Sequence, residues 1–324
     1  MPKAILCRAL GAPETLRVEE FSSVSLRPGQ VRVAIRAAGI NFPDILMVAG
    51  EYQLKPPLPF TPGMEAAGDV IEISGDVDGI AVGDRVIAKL RHGGYADEVV
   101  VTPRQLTPLP GPFDYAEGAT FLAAHGTAHH ALVDRAQIKP GEILLVHGAG
   151  GGVGLAAVEI GHLLGATVIA AASSEAKLAV ARARGADHGV LYGTEPFRDA
   201  VKRITDGRGA DVVFDPVGGE IFEQSLRCIN WGARLLVIGF TGGIGVAKTN
   251  LVLIKGASVL GVRAGEAARR DPAIGEARIK ALLAWAEAGR VRPNVSHRVP
   301  LEEVARAMRL LIDRQAIGRV ALMM

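Results

Sequence analysis

The sequence predicts an α/β protein of two domains, one β-rich and one built on a doubly wound parallel sheet. Three observations carry this. The chain has 324 residues, room for about two domains at roughly 150 residues each. Its first third reads as short strands between turn signals, and from about residue 125 apolar runs alternate with helical patterns. The expected boundaries are 1–124 for the β-rich part, 125–264 for the doubly wound domain and 265–324 for a return to the first.

In the β-rich part, VRVAIRAAGI follows the Pro28–Gly29 turn, AAGDVIEI comes next, and DRVIAKL follows Gly83. Between the first two lies NFPDILMVAGEYQLKPPLPFTPG, with Pro43, Pro56, Pro57, Pro59 and Pro62. Prolines are excluded from central strands, so this stretch is expected to be a long ordered surface loop.

The second part reads EILLVHGAG, GVGLAAVEIGHLLG, ATVIAAAS, SEAKLAVARARG, DHGVLY, ADVVFDPVG, ARLLVIGFTGG and ASVLGVR. Continuous apolar strands with helices between them mean a parallel sheet covered on both faces. Between Glu142 and Glu175 the only formal charge is Glu159, yet the glycines of that stretch fit a strand, loop and helix better than a membrane span. The amphipathic segments EARIKALLAWAEAG and LEEVARAMRLLIDR and a last strand GRVALM complete the chain.

Composition narrows the function. Hydrophobic residues are 49% and charged residues 22%, which excludes disorder, and the net charge of +2 comes without a run of like charges, so no nucleic-acid or membrane patch is expected. Cys7 and Cys228 are too few for a thiolate zinc cage and fit a reducing compartment. No convincing signal peptide opens the sequence, so a cytoplasmic location is expected. The 40 glycines are an excess without a triplet period, which points to backbone approaching a ligand.

ILLV at 143–146 forms the first strand of a dinucleotide-binding pattern. Ala149, Gly151 and Gly154 take the three positions of GxGxxG, with Gly152 and Val153 between, and a helix follows. The pattern supplies a tight turn, a side-chain-free approach to pyrophosphate, and free amides at the positive end of the helix dipole. NAD-selective folds carry an acid at the end of the second strand. Here that place reads Ala172, Ser173, Ser174, with Lys177 one turn on. Hydroxyls and an ammonium suit a 2′-phosphate, so NADPH is the expected cofactor; Ser174 capping the next helix is a compatible reading.

These motifs, with NFPD at 41–44, YQLKPPLPFTPGMEAAG at 52–68, GDRV at 83–86, GGYAD at 93–97, HGAGGGVG at 147–154, SSEAK at 173–177, GADH at 185–188, DPVGG at 215–219 and GRV at 318–320, run through nearly the whole chain. In this order they resemble the zinc-free NADPH:quinone oxidoreductases of the medium-chain dehydrogenase/reductase superfamily, the zeta-crystallin-like group. The resemblance implies a GroES-like substrate domain from both chain ends and a Rossmann domain between. Residue by residue, it places Ser174, Lys177 and Tyr192 at the 2′-phosphate. It places Asn41, Tyr52 and Thr127 along the nicotinamide and substrate site, and Gly239, Phe240 and Thr241 at the nicotinamide end.

Where zinc-dependent members carry GHE, this sequence has Gly63, Met64, Glu65, and a thioether is a poor zinc ligand. Glu65 reads as structural, and Asp215 as shaping its loop. His129 and His130 stand where aromatics are common in the group, and local packing is the favoured reading. The expected activity is metal-free hydride transfer from NADPH to a quinone or related conjugated carbonyl, with Tyr52 and Asn41 as donors to the acceptor oxygen. The rivals are an enoyl or enone reductase and a non-catalytic NADPH-binding protein. The resemblance implies a homodimer, with ASVLGV at 257–262 as the candidate edge strand.

Overall fold

The computed structural model describes residues 1–324, which form two units: Met1–Ala123 with Arg292–Met324, and Ala124–Val291. In the first, β1 (Lys3–Leu6) and β2 (Arg17–Glu20) make an antiparallel ribbon. The main sheet comprises β3 (Val31–Gly39), β4 (Glu65–Ile73), β5 (Arg85–Lys89), β6 (Glu98–Val101), β7 (Leu106–Pro108), β14 (Val295–Pro300) and β15 (Arg319–Met323), in the order β14-β15-β3-β4-β5-β7 with β6 on β3. The terminal strand GRVALM thus returns as β15, antiparallel to β3. Glycine is required at Gly68, because a Cβ there would lie 1.9 Å from the Ala34 carbonyl oxygen across the β3–β4 pair.

Two expectations are corrected. The proline-rich stretch is not all loop: Phe42–Val48 is helical, with Asn41 as N-cap and Asp44 at the third position completing a reciprocal capping box. Proline is tolerated in a first helical turn, where its missing N–H has no partner to lose. The chain also rejoins the first unit at Arg292, not near 265. The helix Pro272–Glu287 stays with the second unit, where Leu282 and Ala286 are fully buried and the Arg278 guanidinium donates to the Ala264 carbonyl at 3.1 Å and to Asp134 at 3.2 Å.

In the second unit β8 (Ile143–Val146), β9 (Thr167–Ala172), β10 (His188–Leu191), β11 (Ala210–Asp215), β12 (Ile229–Val237) and β13 (Ser258–Gly261) form one parallel sheet in the order β10-β9-β8-β11-β12-β13. The chain winds outward from β8 to β10, then restarts at β11 on the other side. That reversal opens a crevice at the carboxyl ends of β8 and β11, where loops leave the sheet in opposite directions. All four residues of β8 are buried, as expected of a strand covered on both faces. No helix is long and apolar enough to cross a membrane.

Candidate functional site

The glycine-rich turn sits at that crevice. Gly148 is left-handed (φ +57°), the Ala149 amide donates to the Ala171 carbonyl at 3.0 Å, and Gly151 caps the helix Gly152–Leu163. A Cβ at Gly154 would lie 2.3 Å from the Gly148 carbonyl oxygen, so only glycine lets the helix approach the turn. The helix's first amides, Gly152 and Val153 among them, lack partners inside the helix and carry the positive end of its dipole.

At the end of β9 the aliphatic stem of Lys177 lies over Gly150, where a Cβ would come within 2.5 Å of it. The Lys177 ammonium donates to the Ser173 hydroxyl at 3.2 Å, and Ser174 caps the next helix by accepting from the Lys177 amide at 3.3 Å. The cap leaves the Ser174 O–H free to donate. Two hydroxyls and an ammonium therefore gather beside the glycine turn.

His147, which opens the turn, went unremarked in the sequence. It is fully buried, and burial holds its imidazole neutral, down to about 3. Ser225 donates to the Ile221 carbonyl at 2.7 Å, so its oxygen accepts from His147 Nε2–H at 2.9 Å. The other nitrogen, Nδ1, then accepts from the Tyr192 hydroxyl at 2.7 Å. This chain ties the turn to β10's end and to the helix Gly219–Ser225. It also commits the Tyr192 proton to His147.

On the other side of the crevice, Asp215 Oδ1 accepts from the amides of Val217 and Gly218 at 2.8 and 2.9 Å, shaping its loop. That loop packs backbone to backbone on 239–243: a Cβ at Gly218 would lie 2.3 Å from the Gly243 carbonyl oxygen. The Thr241 hydroxyl donates to the Pro216 carbonyl at 3.2 Å, Gly239 sits against the same carbonyl, and Phe240 is exposed. Thr127 is half-buried on the helix Leu122–His129. His130 donates from Nδ1 to Asp134 at 2.7 Å and His129 lies against the Trp285 ring. His130 thus bonds one turn along the chain, while His129 packs against the distant helix Pro272–Glu287.

In the first unit the quoted motifs converge on a buried polar cluster. Arg319 donates to Asn41 Oδ1 at 2.8 Å and lies 3.7 Å from Glu65. Asp44 accepts from the Asn41 amide at 2.9 Å and from the Tyr95 hydroxyl at 3.0 Å, and Glu65 accepts from the Ala123 amide at 3.0 Å. The Asn41 oxygen is held by Arg319, and the one contact of its Nδ2 donor, to the Gly39 carbonyl, is long at 3.4 Å. Tyr52 packs its ring on the unit's core and its hydroxyl has no hydrogen-bond partner. Arg319, Asp44 and Tyr95 lay inside GRV, NFPD and GGYAD, and only the fold shows that they meet.

Burial raises the Glu65 carboxyl to about 7 and Asp44 to about 6, since at 3.7 Å Arg319 offsets little of the lost hydration. Below the ordinary carboxyl range near 4 both folded and unfolded chains are protonated. As the pH rises from about 4 toward 7 the unfolded chain ionises while the folded carboxyls stay protonated, so stability falls, and it levels off once both folded carboxyls have ionised. We expect the melting temperature to drop between about pH 4 and 7, with Glu65→Gln flattening that slope. A slope equal in wild type and variant would remove Glu65 as its source.

Two family models match: "Alcohol dehydrogenase GroES-like domain" over residues 27–111 and "Zinc-binding dehydrogenase" over residues 152–285. The zinc motif stretch here keeps Met64, which packs on the first unit's core. A "Quinone oxidoreductase-like protein 2 homolog" of Nematostella vectensis is 35% identical over 99% of this chain and 88% of its own. A probable oxidoreductase from Mycobacterium abscessus superposes with a TM-score of 0.91 at 36% identity, covering 100% and 99% of the two chains. The Escherichia coli quinone oxidoreductase complexed with NADPH superposes at 0.90 and 28% identity, covering 99% of this chain and 100% of that one. With a GroES-like sheet in one unit, a doubly wound sheet in the other and relatives along its full length, the chain belongs to the quinone oxidoreductase-like medium-chain dehydrogenase/reductases.

Proposed function

We propose that this oxidoreductase uses NADPH, without a metal, to reduce a quinone or a related conjugated carbonyl. The observation that carries the cofactor half is the Ser173, Ser174, Lys177 group beside a turn that a side chain at Gly154 would fill. The E. coli relative, solved with NADPH, is consistent with it. When bound, the nicotinamide supplies the hydride. Lys177 and the serine hydroxyls hold the 2′-phosphate, the amides of Gly152 and Val153 meet the pyrophosphate, and Gly151, whose own amide closes the turn on the Gly148 carbonyl at 2.9 Å, gives it a side-chain-free approach. Tyr192 braces the turn through His147. Thr127 and the 239–241 segment position the nicotinamide end.

On the acceptor side Asn41 Nδ2 and the Tyr52 hydroxyl are donors for the oxygen that gains negative charge. A pre-aimed donor strengthens as that charge develops and lowers the barrier. Metal-assisted polarisation is disfavoured because Met64 offers a thioether and no three His, Cys, Asp or Glu side chains come together. The test is NADPH oxidation in chelator against quinones, enones and enoyl thioesters. Quinone turnover supports the reading, turnover of only the enones or thioesters moves the acceptor to that class, and cofactor binding without turnover of any makes the protein non-catalytic.

Tyr52→Phe keeps the ring and its packing and removes the hydroxyl. We expect an unchanged melting temperature and NADPH affinity, with the reduction rate lower by roughly ten- to a hundredfold. A less reactive enone should show the larger loss, and wild-type rates with both acceptors would remove Tyr52 from the catalytic list.

A homodimer is the proposed assembly. β13, within the 257–262 run, ends the sheet and pairs only with β12, and Val259 and Leu253 are exposed beside it. An open apolar edge of this kind is a template for a second strand, and twofold pairing closes it. Light scattering should return twice the 33.9 kDa chain mass at micromolar concentration; a monomer mass would refute the pairing.

A further inference from the structure

At the end of the nucleotide unit's sheet opposite the glycine turn, where β11 and β12 begin, the fold brings together four cations from three segments. Arg198 and Lys202 stand on the helix Phe197–Ile204, Arg227 in the turn before β12, and Lys255 at the end of the helix Thr249–Lys255. They line a groove of about 330 Å³ that has no acidic side chain in its wall. This is at the small end of the range of ligand sites.

The charges are scarcely neutralised. Arg198 pairs only with its neighbour Asp199 at 3.1 Å, and Lys202, Arg227 and Lys255 form no ion pair or side-chain hydrogen bond. Elsewhere the chain pairs its cations readily, as with Arg234 and Glu142 or Arg309 and Glu14. The floor, Leu226 and Ile229, is already buried in the core, and the accessible apolar surface is Leu251 and the exposed Ile254 in the groove's wall. Cys228 lies in the same floor. Burial pushes its thiol up to about 12 against the pull of Lys202, Arg198 and Lys255, so the cations reach the groove's base and the sulfur is unreactive.

We propose that this groove is a second small-molecule site, distinct from the cofactor and acceptor sites, that binds an amphipathic anion: a carboxylate or phosphate headgroup on a short apolar chain. The headgroup neutralises cations that otherwise repel one another, and the chain covers Leu251 and Ile254 in the wall. Neither part alone satisfies both features. A bare anion leaves Leu251 and Ile254 wet, and a neutral chain leaves the charges unpaired. A groove of this volume holds a compact molecule and is too small for a polymer.

The test is calorimetric titration of the full chain with octanoate and with octyl phosphate. Inorganic phosphate serves as the headgroup-only arm and 1-octanol as the tail-only arm. One or both amphiphiles should saturate with a Kd below about 1 mM, weakened by added salt, and each single-part probe should bind at least about tenfold more weakly. Whether octanoate or octyl phosphate binds tighter assigns the headgroup. The double variant Lys202→Ala with Lys255→Ala should weaken the amphiphile by at least about tenfold and keep the melting temperature, because removing repelling exposed charges costs the fold little. Arg227→Ala is the second variant if that pair is poorly expressed. Absence of saturation, inorganic phosphate binding as tightly as octyl phosphate, or both charge variants binding like wild type would each overturn the proposal. None of these readouts depends on the cofactor or on turnover.

Discussion

Lys177→Ala is expected to weaken NADPH by roughly ten- to a hundredfold while leaving NADH nearly unchanged, read as the two dissociation constants by cofactor fluorescence. A charge-assisted hydrogen bond to a phosphate is worth about 1.5–3 kcal/mol, and a factor of ten in affinity is about 1.4 kcal/mol. The effect should be selective because the ammonium is held at the Ser173 hydroxyl, where NAD enzymes carry a carboxylate for the 2′-hydroxyl. Some loss common to both cofactors is expected, since the Lys177 stem also covers Gly150. An equal loss of both would show that Lys177 only packs the turn and that the phosphate sits elsewhere.

Arg319→Met should destabilise the protein by about 3–5 kcal/mol, measured by urea unfolding at pH 7. The guanidinium is the one cation in the buried cluster with Glu65, Asp44 and Tyr95, and burial lowers its pKa without discharging it. Removing it leaves two carboxyl groups without a counter-charge, and methionine fills much of the volume without replacing the donors. The loss should shrink toward pH 5, where both carboxyls are protonated. The variant should also slow turnover beyond its stability cost, because Asn41 loses the bond that fixes its amide. Wild-type stability at pH 7 would mean that the cluster carries no net charge to compensate.

The glycine turn was legible because its residues have local steric reasons: Gly154 for the helix approach, Gly148 for a left-handed turn. The helix at Phe42–Val48 was not read, although Asn41 and Asp44 have capping-box spacing, because five prolines outweighed that signal. The helix Pro272–Glu287 announced a buried face by its pattern, but a pattern does not say which unit covers that face. Arg319 and Asn41 stand 278 positions apart, and His147 meets Ser225 across 78. Nothing local marks either pair. The cationic groove draws its charges from three segments, so a search for charge runs passes over it.

The proposed activity is hydride delivery from NADPH to a quinone without a metal. The most direct measurement is steady-state kcat/KM for a quinone with NADPH and with NADH, on protein dialysed against chelator and checked by elemental analysis. The prediction is full activity without stoichiometric zinc and a kcat/KM higher with NADPH. Loss of activity on removing one zinc per chain, or quinone reduction that runs equally well with NADH, would contradict it.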